Sequence, residues 1–179
     1  MFEGWDSFYL LIGGAAGALI GLLFVVVTLT GNLGREKAMR GAAIYMTPTV
    51  FHFAVVLVTS ALTAVPHLPQ RAAASIVGAL GLLGFVYAAR ISWMLRTQRV
   101  TPETPHWTDF WCYGAAPCGL YLAMIAAAWT LEAGKTWAAE AVAAVVIGLL
   151  LIGIRNAWDL VTWLAPSAKE AEARTPPPA

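Results

Sequence analysis

Apolar residues in this chain come in blocks long enough to cross a bilayer, and no other feature constrains the fold so strongly. The first block, 8–30, contains no charged residue. Four more follow at about 43–65, 72–95, 109–131 and 137–164. A helix needs about 20 apolar residues to cross the hydrocarbon core, and each block meets that length. Composition agrees. Of the 179 residues, 59% are hydrophobic and 12% charged; a soluble domain carries about 25% charged residues. A soluble helical bundle would also need a charged face on its helices, and no block shows one. The expected fold is an all-α polytopic transmembrane bundle of five spans.

The connecting segments are short, which leaves no room for a soluble catalytic domain. The net charge of +1 supplies no bulk basic field of the kind that binds nucleic acid. The amino terminus, MFEGWDSF, carries Glu3 and Asp6 where a signal peptide has a positive segment. The first block is therefore expected to stay as a helix.

Charge sets the expected orientation, because short cytoplasmic loops are enriched in Lys and Arg. Arg35, Lys37 and Arg40 follow the first block, and Arg90, Arg96 and Arg99 lie at the end of the third. Lys169 and Arg174 lie in the tail. This bias puts the amino terminus outside and the carboxyl terminus in the cytoplasm. Trp5, Trp93, Trp107, Trp129, Trp137 and Trp163 lie near the expected helix ends, where an amphipathic ring suits the headgroup region. Residues 165–179 are polar and proline-rich, and are expected to form a disordered cytoplasmic tail.

The first block also carries glycines at four-residue spacing, Gly13, Gly17 and Gly21. Four residues turn a helix by about 400°, so the three stay near one face. In lipid, small residues let backbones approach and gain van der Waals contact. This stripe, a glycine zipper, is expected to be a packing seam, either within the bundle or against another protomer.

From Trp5 to about Leu29 the chain resembles a widespread group of small, uncharacterised bacterial multi-helix membrane proteins. The resemblance rests on a W-x-x-F start, Trp5 and Phe8, followed by G-x-A-A-x-A-L-x-G-L-L-F-V from Gly13 to Val25. It implies a multi-pass protein of the bacterial inner membrane, and it transfers no catalytic residues.

Ionisable residues inside a span are costly and often functional. The deepest is His52, within TPTVFHF. Tyr45, Thr49, His52, Thr59 and Thr63 recur in the steps of a helix and form a polar stripe. Pro48 lies within it and is expected to bend the helix. The stripe lines a permeation path, or it bonds to a neighbouring helix and to its own backbone. Gly21, Gly84, Gly148, Pro117 and Cys118 lie near the depth of His52. Either backbones close tightly at that level or a cavity surrounds the histidine.

Arg155 and Asp159 are four apart near the expected cytoplasmic rim and can pair along one helix face. Glu140 begins the last block on the outer side. Cys112 and Cys118 are about 240° apart around a helix, cannot bridge each other, and are read as packing residues.

No H-E-x-x-H, C-x-x-C, G-x-S-x-G, phosphate loop or G-x-G-x-x-G occurs. No catalytic residue, metal ligand set or cofactor is expected. Two functions fit. One is a small homo-oligomeric channel with the second helix along the path. The other is a non-transporting scaffold or accessory subunit that docks to a larger membrane complex through the glycine stripe. The expected partners are the bilayer, further copies of the chain and, for the scaffold, another membrane protein.

Overall fold

Each apolar block becomes a helix, and local chemistry marks several of its ends. The computed structural model describes residues 2–30, 46–97 and 110–173, with side chains up to 28 in the first stretch and 162 in the last. Helix α1 spans Asp6–Thr30 and opens with an aspartate in its first turn, where a negative charge meets the positive end of the helix dipole. Helix α2 spans Thr47–Thr63, with Pro48 in its first turn. A proline is tolerated there because that backbone N–H has no partner in the helix anyway. The bend expected in mid-helix is therefore not needed to accommodate it.

A turn containing Pro66 and Pro69 leads into α3, Gln70–Thr97. His67 in that turn has φ 55°, the left-handed region that non-glycine residues seldom occupy. A π-helical turn, Phe110–Ala115, opens α4, Ala116–Glu132. Helix α4 stops in a Schellman motif. The Lys135 N–H donates to the Thr130 carbonyl at 3.0 Å, and the Gly134 N–H donates to Leu131 at 3.0 Å. Gly134 supplies the left-handed φ of 65° that this cap requires. Helix α5 spans Ala138–Ala173. It continues past 165, where the sequence suggests an unstructured tail. The AKEAEA segment there is rich in strong helix formers.

No strand occurs among the described residues. The chain is all-α, and four stretches are long and apolar enough to cross a membrane: Asp6–Thr28, Gln70–Thr97, Phe110–Glu132 and Ala138–Thr162. Helix α2 is shorter, with 17 residues.

The helices run alternately up and down. Helix α1 packs along α2, and α3 packs along α4. Helix α2 makes few contacts with α3. The bundle is thus two hairpins, and α5 touches α4, α2 and α1. Glycines let the helices close. A methyl at Gly81 would come within 2.9 Å of Ile125, and one at Gly148 within 2.6 Å of Leu120. Helix α1 is peripheral. Only 17% of its apolar window is buried, against 50% for α5.

Candidate functional site: a sealed histidine–tyrosine pair

His52 lies in the second turn of α2 and is 1% exposed. Its Nδ1 is 2.8 Å from the Tyr121 hydroxyl of α4, and either atom can donate according to the imidazole tautomer. Tyr121 is itself fully buried. Its ring rests on Gly84 of α3, and a Cβ at that glycine would clash with the ring. Gly84 is therefore a slot that lets Tyr121 reach between the hairpins. Phe51 stacks on Tyr87 of α3, with centroids 4.6 Å apart, and lies 6.2 Å from Tyr121. Phe51, His52, Tyr87 and Tyr121 together join α2 to the α3–α4 hairpin where the backbones stay apart.

The polar stripe faces protein. Thr49 and Thr59 are fully buried. The Thr59 hydroxyl donates to the Val55 carbonyl at 2.8 Å, and the Thr63 hydroxyl to Ser60 at 2.7 Å. These are the bonds to their own helix backbone that threonine makes in apolar surroundings. Tyr45 lies outside the described residues. The glycines near the depth of His52 mark close packing at Gly84 and Gly148, while a methyl at Gly21 would meet no atom of the described residues within 4 Å.

Among the described residues, two buried side-chain polar atoms have no hydrogen-bond partner, the Ser60 hydroxyl and His52 Nε2. A relay through an imidazole needs a partner on both ring nitrogens, and this ring has one. The pair as built can lock two helices together. Passing a proton onward would require a further group at Nε2.

The glycine stripe divides. A methyl at Gly13 would come within 2.8 Å of the Ser60 Cβ, so Gly13 is a contact between α1 and α2. A methyl at Gly14, Gly17 or Gly21 would meet no atom of the described residues within 4 Å. The reason is the drift of about 40° at each four-residue step, which reaches about 80° by Gly21. Residues at alternating steps of four and three keep the inward face instead. Tyr9, Gly13, Ala16 and Leu23 are all buried.

At the opposite end of the bundle, Arg155 and Asp159 meet at 4.0 Å with both side chains substantially exposed, and such a pair contributes little. Asn156, next to Arg155, is fully buried. Its Nδ2 donates to the Cys112 carbonyl at 3.1 Å. Its own carbonyl accepts from the Tyr113 hydroxyl at 3.1 Å. In π register the donor to Cys112 would be five residues on, and residue 117 is proline, which has no N–H. Asn156 supplies a donor at that point. Asn156, Tyr121 and Tyr113 were not singled out by sequence reasoning. An asparagine inside an apolar block is a usable signal, because amides hydrogen-bond between membrane helices.

Cys112 and Cys118 are free and half-buried, and the Cys118 sulfur lies 3.7 Å from the Ser92 hydroxyl. Two open clefts lie at the end that carries the amino terminus. One, of about 340 Å³, is lined by Phe2, Glu3, Asp6, Thr63, His67 and their neighbours. The other is lined by Gln70, Gly134, Lys135, Thr136 and Ala139. His52 lines neither. Among the described residues, no three His, Cys, Asp or Glu side chains converge on a possible metal position.

No protein-family model matches the chain, and no curated protein or solved structure matches it.

Proposed function

We propose that the chain is a non-transporting scaffold or accessory subunit of a bacterial inner membrane, crossing it five times with the amino terminus outside. The observation that carries this reading is the contrast between α2 and α1. The polar stripe of α2 is enclosed, with His52 held by Tyr121. Helix α1 is the least enclosed span, and Gly14, Gly17 and Gly21 present a backbone that another helix can approach. Helix α2 is short for a span, at about 25 Å by its 17 residues. It sits against α1 and α5, which reduces the length that lipid must match. The basic residues at the far ends of α3 and α5 favour that end for the cytoplasm. The resemblance of the first span to small bacterial membrane proteins agrees with this assignment.

A homo-oligomeric channel with α2 along the path is the second reading. The unmatched Nε2 of His52 favours it, because a path would supply water there. One experiment separates the two. The purified protein is sized in detergent by native mass spectrometry, then reconstituted in liposomes for ion flux. The scaffold reading expects no flux, and an assembly larger than one chain that Gly17→Leu breaks into single chains. A flux whose pH dependence disappears in His52→Ala would replace it with the channel. Single chains in the wild type would remove self-association through α1.

A further inference from the structure

The described charges divide unevenly between the two ends of the bundle. Glu3, Asp6, Glu132 and Glu140 accompany Arg71 and Lys135 at the amino-terminal end, where Arg71 pairs with Glu132 at 3.4 Å. At the opposite end Arg90, Arg96 and Arg155 accompany Asp159, which lies 4.0 Å from Arg155. Among the described residues, Arg90 and Arg96 thus have no carboxylate partner. Both are exposed. The Arg96 guanidinium carbon stands 4.5 Å from the centroid of Phe110 in the π turn. A cation over a ring face is held in place.

Aromatic and apolar residues complete the pattern. Trp93 lies between the two arginines on α3 and is 66% exposed, and Trp111, next to Phe110, is 53% exposed. Helix α3 continues the same outer face toward mid-membrane with Leu82, Leu83 and Val86, all more than half exposed. Steps of three and four from Leu83 through Val86 and Arg90 to Trp93 keep these residues on one side of the helix. That face is amphipathic along its length, apolar in the middle and cationic at the end, with indoles near the boundary. A phospholipid has the same order.

We propose that this end of α3, together with the π turn, binds an anionic phospholipid. Arg96 takes the headgroup phosphate at the end of the helix, Arg90 adds its charge by extending past Trp93 toward the same boundary, Trp93 and Trp111 flank the headgroup, and an acyl chain follows Val86, Leu83 and Leu82. Guanidinium forks suit phosphate oxygens, and basic positions at helix ends recruit anionic headgroups. The exposed apolar run favours a lipid over a soluble phosphate, which would have no use for it.

The inference rests on α3 crossing a bilayer, and the two fail separately. Release of the protein from membranes by alkaline carbonate without detergent would defeat the membrane reading itself. Given retention, the full chain in neutral detergent is heated with phosphatidylglycerol, phosphatidylcholine or inorganic phosphate. Phosphatidylglycerol should raise the unfolding midpoint by several degrees more than phosphatidylcholine, and phosphate should leave it unchanged. Arg90→Gln/Arg96→Gln should lose at least half of that increment, while Arg71→Gln, at the other end, keeps it. Equal effects of the two lipids, the same increment from phosphate alone, or a full increment in the double variant would overturn the proposal. If the double variant does not fold, brominated lipids decide. Brominated phosphatidylglycerol should quench wild-type fluorescence more than brominated phosphatidylcholine, and Trp93→Phe/Trp111→Phe should remove the difference. Equal quenching in the wild type would overturn it.

Discussion

The His52–Tyr121 contact joins two side chains that both lie out of reach of solvent. Nothing can replace either hydroxyl or imidazole if its partner is removed. Tyr121→Phe keeps the ring on Gly84 and deletes only the hydroxyl, leaving a buried imidazole with no partner on either nitrogen among the described residues. The expected cost is about 1–3 kcal/mol, the penalty for an orphaned buried polar group. His52→Leu in the Tyr121→Phe background should recover part of it, since removing both partners avoids the orphan. Reversible unfolding in mixed micelles measures both variants and their coupling. Additive losses would show that the 2.8 Å approach contributes nothing beyond packing. The presence of a polar stripe was legible in the sequence, because Thr49, His52, Thr59 and Thr63 follow the helix period. Its direction was not. In a soluble helix the apolar side points inward. In lipid both sides are apolar, so the pattern on α2 alone cannot tell a protein-facing stripe from a path-facing one. Tyr121 decides, and it can reach His52 only because α3 has a glycine at 84.

Among the elements, the π turn before α4 is the one whose geometry depends on a neighbour. Pro117 leaves the backbone short of a donor, and the Asn156 amide reaches across from α5 to the Cys112 carbonyl. Asn156→Leu should therefore destabilise the bundle by about 1–3 kcal/mol through the buried group it abandons. Pro117→Ala restores an N–H next to the turn and should reduce that loss when the two are combined. Detergent unfolding of the single and double variants tests the coupling, and equal losses with and without Pro117 would show that the two act independently. The helical blocks and most of their ends could be read from apolar length and tryptophans. The π turn could not, because it depends on a hydrogen bond from a residue more than forty positions away. The glycine stripe was legible as a set of small residues. Its division between Gly13 and the outward Gly17 and Gly21 comes from the angular drift along α1 and from Ser60 on the opposing helix.

The whole molecule is two hairpins with α5 against both. Cutting the chain in the turn between α2 and α3 leaves α1–α2 on one piece and α3–α5 on the other. Helices that are stable singly in lipid associate by packing, so the two pieces, expressed together, should co-purify through a tag on either one. Phe53 of α2 lies against Gly153 of α5, where a Cβ would clash with its ring. Gly153→Leu should therefore abolish recovery of the tagged pair while each piece still reaches the membrane. Co-purification that survives this substitution would mean that the remaining contacts, the aromatic ones at Tyr121 and Tyr87 and those of α5 with α1, hold the pieces together.

The position of α5 also has a consequence for biogenesis. It follows the other four helices in the sequence, yet it is the helix that packs along members of both hairpins. Under the five-span proposal, a nascent chain that has inserted α1 to α4 would hold two hairpins with the faces that α5 covers still open, and closure of the bundle would wait for α5.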